Sequence, residues 1–224
     1  MTSVGFLILF SSCMLLSCEG DIISPAEGTE FVFLPGSTGK LTWTFNDDIS
    51  SVFFRAWHFT RSGGSTAERL ARIIDDDNFK IQQSSLSGVE IVKPATLLLK
   101  NVNQSYDGVY QFQLAATSAY TPVNVRVFIA AAPSVTFSCS SLLTVDEGDN
   151  VTCVCKGQGG NPPANVTWYK DGNKIDGTAE KEKTLTLNNV DRKASGTYKC
   201  LAQSHTLKDE KVIEIIVYFA FPPT

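Results

Sequence analysis

From Lys40 onward, short runs of β-branched and aromatic residues recur about every ten residues, each ended by Gly, Pro, Asn, Asp or Ser. The runs are KLTWTF, SVFFRAWHF, ATLLLKNV, VYQFQL and NVRVFI, then SVTF, NVTCVC, NVTWYK, KTLTLNNV, GTYKCLA and VIEIIVYF. Leu41/Trp43/Phe45, Val123/Val125/Val127, Val151/Cys153/Cys155 and Leu185/Leu187 recur at every second position, the period of a strand with one buried face. ERLARII is the one helix-like stretch, and a strand explains it as well. Short alternating strands at this spacing pack as antiparallel sandwiches, so the expected fold class is all-β.

A chain of 224 residues holds one large domain or two small ones. Two is the better reading. One strand set ends near Ala130-Ala131-Ala132, and Pro133 opens the next. The halves also share an order: a glycine before a core strand, a tryptophan strand, Leu-x-Leu, then Gly-x-Tyr. The expected division is a signal peptide over residues 1–20, sandwich domains over 21–131 and 132–219, and a linker or truncated end over 220–224.

The signal reading rests on residues 5–17, an apolar run shorter than the roughly 20 residues a bilayer needs, followed at once by polar residues. It lacks a basic flank, and Leu15-Leu16-Ser17-Cys18 also loosely fits a bacterial lipobox. Losing Cys13 and Cys18 with the signal leaves Cys139, Cys153, Cys155 and Cys200, an even set that in an exported chain reads as two disulfides. Sequons at Asn103, Asn150 and Asn165 agree with that route.

Whole classes of function drop out. A net charge of -4 argues against a nucleic-acid binder, and a mean hydropathy near zero against a multi-span membrane protein. Cys153-x-Cys155 has the wrong spacing for zinc, and His58 and His205 lie in different halves without a nucleophile nearby. Asp75-Asp76-Asp77-Asn78 has oxygens enough for calcium but reads better as a solvated turn. No catalytic residue, metal or cofactor is expected.

The second half carries the motif Gly148-Asp-Asn-Val-Thr-Cys153-Val-Cys155, then Val166-Thr-Trp168-Tyr-Lys-Asp-Gly172, Leu185-Thr-Leu187 and Gly196-Thr-Tyr198-Lys-Cys200. This order resembles the immunoglobulin superfamily, in its I-set form. Ala194 departs from it, standing where the family usually has an acidic residue. The resemblance implies a disulfide from Cys155 to Cys200 across the sheets. Val135, Phe137 and Cys139 share one pleat face, as do Val151, Cys153 and Cys155. The turn at Asp146–Asp149 is expected to make these strands neighbours, which pairs Cys139 with Cys153.

The first half matches the same plan without its staple. Trp43 stands at the first cysteine position and Phe112 at the second, with Trp57 as core indole and Tyr110 matching Tyr198. Asp107 is one residue out of the usual acidic position, which puts the family's salt bridge in doubt. Residues 60–96 leave room for extra strands, as in a V-like domain.

Such a pair of domains resembles carcinoembryonic-antigen-type and lymphocyte signalling-activation-type receptors, and cnidarian allorecognition-type receptors. The resemblance implies a cell-surface or secreted recognition protein whose first domain docks a protein partner, a second copy among the candidates, through its GFCC′ sheet. A soluble secreted immune binder of a microbial or glycan ligand is the alternative. If Trp57, Tyr110 and Val125 point inward, the opposite face shows Phe54, Ala56, His58, Gln111, Gln113, Asn124, Arg126 and Phe128, with few charges; Tyr120 crowns the adjoining 115–120 loop. The expected contact residues are Phe54, His58, Gln111, Gln113, Tyr120, Arg126 and Phe128. Any membrane attachment would come from a segment outside this chain.

Overall fold

The computed structural model describes residues 22–74, 78–81, 84–116 and 120–218. The expected signal segment with Cys13 and Cys18, the Asp75-Asp76-Asp77 run, residues 117–119 of the tip loop and the tail from 219 lie outside the described residues.

The alternating runs form β1 (Ile22–Ser24), β2 (Thr29–Phe33), β3 (Gly39–Thr42), β4 (Thr44–Phe45), β5 (Val52–Arg61), β6 (Glu68–Ile74), β7 (Asn78–Ile81), β8 (Val89–Val92), β9 (Thr96–Leu99), β10 (Gly108–Ala116) and β11 (Tyr120–Ile129). A six-stranded sheet, β2-β11-β10-β5-β6-β7, packs against a three-stranded one, β3-β9-β8, with β1 paired to β4. ERLARII is thus a strand, and β6 to β8 fill the interval that suggested extra strands. The second half follows with β12 (Ser134–Phe137), β13 (Leu142–Asp146), β14 (Val151–Gln158), β15 (Asn165–Lys170), β16 (Asn173–Lys174), β17 (Ala179–Glu180), β18 (Glu182–Leu187), β19 (Gly196–Ser204) and β20 (Leu207–Tyr218). Its sheets are β12-β14-β18 and β13-β20-β19-β15-β16, with β17 also on β15. The fold is two tandem immunoglobulin-like sandwiches, and among the described residues no helix is long and apolar enough to cross a membrane.

The repeated order in sequence becomes repeated geometry. Gly36 and Gly148, at φ 78° and 99°, make equivalent tight turns before β3 and β14. Their N–H groups donate to Val102 O at 2.7 Å and Val190 O at 2.8 Å. Tyr110 Oη donates to Tyr106 O, and Tyr198 Oη to Ala194 O, both at 2.8 Å. These tyrosine corners fix the strand entries of β10 and β19. Burial pushes the Tyr110 hydroxyl well above the ordinary phenol range, so it stays a donor.

Each half has its own core. In the second, Cys155 joins Cys200, and Cys139 joins Cys153. Trp168 lies at the centre, stacked on Phe137 at 5.5 Å, its Nε1 donating to Lys183 O. In the first, Phe112 packs between Trp43 and Trp57, each centroid 5.2 Å away, so three buried rings fill the space a cystine would span.

Two expectations need correction. The strand that enters the Asp146–Asp149 turn is β13, and it pairs in parallel with β20 on the opposite sheet. It is β12, one segment earlier, that neighbours β14. Asp107 does form a salt bridge, to Arg126 at 3.0 Å, because Arg126 on the adjacent β11 reaches back to it.

Candidate functional site

Hydrogen bonding of β10 to β5 and β11 sets the outer face of the six-stranded sheet. With Trp57, Tyr110 and Val125 buried, the rows Arg126–Val109–Thr60, Asn124–Gln111–His58 and Pro122–Gln113–Ala56 face outward. Tyr120–Ala115–Phe54 closes the far end, where Tyr120 is 58% exposed and Phe54 half-buried beside Ile74. Ala56 corrects the sequence reading: it is fully covered, a short methyl set in register between Gln113 and Arg72.

A chain of amides crosses the centre. Gln113 Nε2 donates to Gln111 Oε1 at 2.6 Å, Gln111 Nε2 to Asn124 Oδ1 at 3.1 Å, and Asn124 Nδ2 to Glu27 Oε1 at 3.0 Å. The Asn124 backbone N–H donates to Glu27 Oε2 at 2.7 Å. The carboxylate terminates the chain and fixes the direction of each amide, so the polar surface is ordered before any partner arrives.

His58 sits beside this chain and accepts from Arg69 Nε through Nε2 at 3.3 Å, leaving its proton on Nδ1. Burial, and then the Arg69 charge, hold its pKa below the usual histidine value. The folded state therefore resists protonating His58, and the stability this gives is present above the ordinary histidine pKa and lost as pH falls through the lowered one. Urea unfolding of the first domain between pH 7 and pH 5 should show a decline that a His58→Gln variant flattens.

Arg126 and Phe128 lie at the other end. Arg126 holds Asp107 and Ser62 Oγ, its guanidinium 4.9 Å above the Phe128 ring. These two expected contact residues thus border the junction with the second domain, away from the amide centre.

The sequence alone shows few charges on this face; its edges carry more. Glu30 lies in register beside Arg126, and Glu27 beside Asn124, both exposed. On the other flank stand Arg69, Arg72 and Lys80. Arg69 and Arg72 share a face despite being three residues apart because the register shifts between Trp57 and His58, turning both Leu70 and Ala71 inward. A period-two reading cannot find them, although they stand i, i+3 in the one helix-like stretch of the sequence. None of the three sequons lies on the strands of this face.

Residues 132–204 match the family model for the immunoglobulin domain. Over 88 residues the chain is 32% identical to myelin-associated glycoprotein of Mus musculus, covering 39% of this chain and 14% of that protein. It is 24% identical over 153 residues to lachesin of Drosophila melanogaster, covering 66% and 41%. The chain therefore spans less than half the length of either relative. In fold it is similar to the N-terminal four immunoglobulin domains of Dscam1 isoform 1.9, at a TM-score of 0.52 and 17% identity over 89% of this chain and 46% of that one. The N-terminal eight domains of Down Syndrome Cell Adhesion Molecule isoform 1.30.30 give 0.52 and 19%, over 92% and 27%. A cystine packed beside a buried tryptophan in the second sandwich, and a tyrosine corner in each, agree with the immunoglobulin-domain model that residues 132–204 match and with the fold of these neighbours.

Proposed function

We propose that the chain is an extracellular adhesion or recognition module, and that the outer face of β11, β10, β5 and β6 docks a protein partner, for which a second copy of the chain fits. Two disulfides suit an oxidising compartment. The observation that carries the reading is the opposite charge of the two edges: Glu27 and Glu30 beside β11, Arg69, Arg72 and Lys80 along β6 and β7, with ordered amides between them. A two-fold axis parallel to the strands, passing between β10 and β5, sets the acidic edge of one copy against the basic edge of the other, and does so twice. Phe54 and Tyr120 supply the aromatic contacts that give such interfaces most of their energy.

The test is a charge swap on the whole secreted chain, read by sedimentation equilibrium. Arg72→Glu with Lys80→Glu, or Glu27→Lys with Glu30→Lys, should each weaken self-association by about ten-fold or more, since like charges then meet at both edges. Mixing the two variants restores it, because the added acidic charges of one copy now meet the added basic charges of the other. A wild-type chain that stays monomeric at high micromolar concentration, or variants that do not rescue each other, would overturn docking between copies and leave a different protein as the partner.

A further inference from the structure

The sequon at Asn165 is not in a loop. It lies on β15, in register between Glu180 on β17 and Gln203 on β19, with its side chain exposed on the outer face of the second sandwich. Acceptor asparagines usually sit on surface loops, where the sugar projects into solvent. Asn165 opens β15 with a paired strand on each side, so its sugar has the face of the sheet to run along. Asn165 also lines a groove of about 400 Å³, together with Thr167, Tyr169, Thr178, Leu201 and Gln203. That is within the roughly 300–1,000 Å³ of small-molecule sites. The lining suits a sugar, with hydroxyls from Thr167 and Thr178, an amide from Gln203, and apolar surface from Leu201 and Tyr169 for the flat face of a pyranose. Thr167 Oγ1 and Thr178 Oγ1 stand 2.8 Å apart and Gln203 Nε2 donates to His205 O at 3.0 Å, so the walls are held in place.

We propose that an N-linked glycan on Asn165 seats its N-acetylglucosamine core in this groove and closes the outer face of the second sandwich, leaving the first domain's sheet as the chain's open face. In the attachment step Asn165 Nδ2 loses a proton and bonds to the anomeric carbon of a polyprenyl-diphosphate-linked oligosaccharide; the carbon–oxygen bond to the diphosphate breaks, and the lipid diphosphate leaves with the electron pair. The inference rests on the extracellular reading above, although not on docking through the first domain.

Asn103 and Asn150 are internal controls. Both are exposed on turns, Asn103 opening a 3-10 turn with Oδ1 accepting from Ser105 N, and Asn150 just before β14. The full chain is secreted from eukaryotic cells and digested without denaturant by peptide-N-glycosidase, and release at each asparagine is followed by mass spectrometry. The expected result is release at Asn165 at least ten-fold slower than at Asn103 and Asn150, with all equal after denaturation. Leu201→Ser combined with Tyr169→Ala, which strips the apolar wall, should bring the native rate at Asn165 up to that of the controls. Sugar on the controls with Asn165 bare, equal native release at all sites, or slow release that survives loss of the wall overturns the seating. A chain without sugar at any of the three overturns the extracellular reading with it.

Discussion

Replacing Cys155 and Cys200 together by alanine should lower the melting temperature of the second domain by about 15–30 °C and leave that of the first within a few degrees. The bridge closes a loop of 45 residues, for which chain entropy alone gives about 4 kcal/mol. For a domain of this size each kcal/mol is worth about 4–8 °C. Both cysteines are completely buried against Trp168, so removing the sulfurs also opens space in the core. The first domain has no cysteine anywhere between residues 21 and 131 and depends on Trp43, Phe112 and Trp57 instead. The reciprocal change, Phe112→Ala, should cost it about 3–5 kcal/mol and spare the second domain. Differential scanning calorimetry on the two variants separates the transitions. If both domains melt lower in either variant, the two cores do not fold independently.

What could be read in advance follows from how local each signal is. Cys155, Trp168, Tyr198 and Cys200 are legible because their order within one domain resembles the immunoglobulin pattern, and Trp43, Trp57, Tyr110 and Phe112, matched to the same pattern, are all buried. The centre of the face, Gln111, Gln113 and His58, follows from strand parity. Its charged edges do not. Arg69 and Arg72 are brought together by an extra residue at Leu70, which no period reveals. Glu27 reaches Asn124 across 97 residues of sequence. β13 alternates as β12 does, and nothing in its residues says which of two sheets it joins. Ala56 has the right parity and the wrong size: among longer neighbours a methyl group does not reach solvent.

Asp107 carries the other large effect, and it too depends on partners remote in sequence. The residue is 6% exposed. One carboxylate oxygen accepts from Arg126 Nη2 at 3.0 Å; the other accepts from Ile129 N at 3.1 Å and from Asn161 Nδ2, in the second domain, at 2.5 Å. Asn161 Nδ2 also donates to Ile129 O at 2.7 Å, and its backbone exchanges hydrogen bonds with Ala131 at 3.0 and 3.2 Å. Asp107→Ala would leave a guanidinium, a buried amide and the Asn161 side chain without their common acceptor, at a cost of about 3 kcal/mol. The first domain should then melt about 10–20 °C lower. Asn161→Ala removes only the cross-domain donor. It should leave both melting transitions nearly unchanged, while residual dipolar couplings and small-angle scattering report a wider range of angles between the domains. The contrast separates two roles of one carboxylate, holding β10 to β11 within the first sandwich and tying that sandwich to the next. An unchanged angular range in Asn161→Ala would mean that the Ala131 backbone pair alone sets the joint; an unchanged melting point in Asp107→Ala would mean that Arg126 and Ile129 find other acceptors. If both effects appear, the orientation in which the second domain presents the first domain's face is fixed by one asparagine and one aspartate, 54 residues apart.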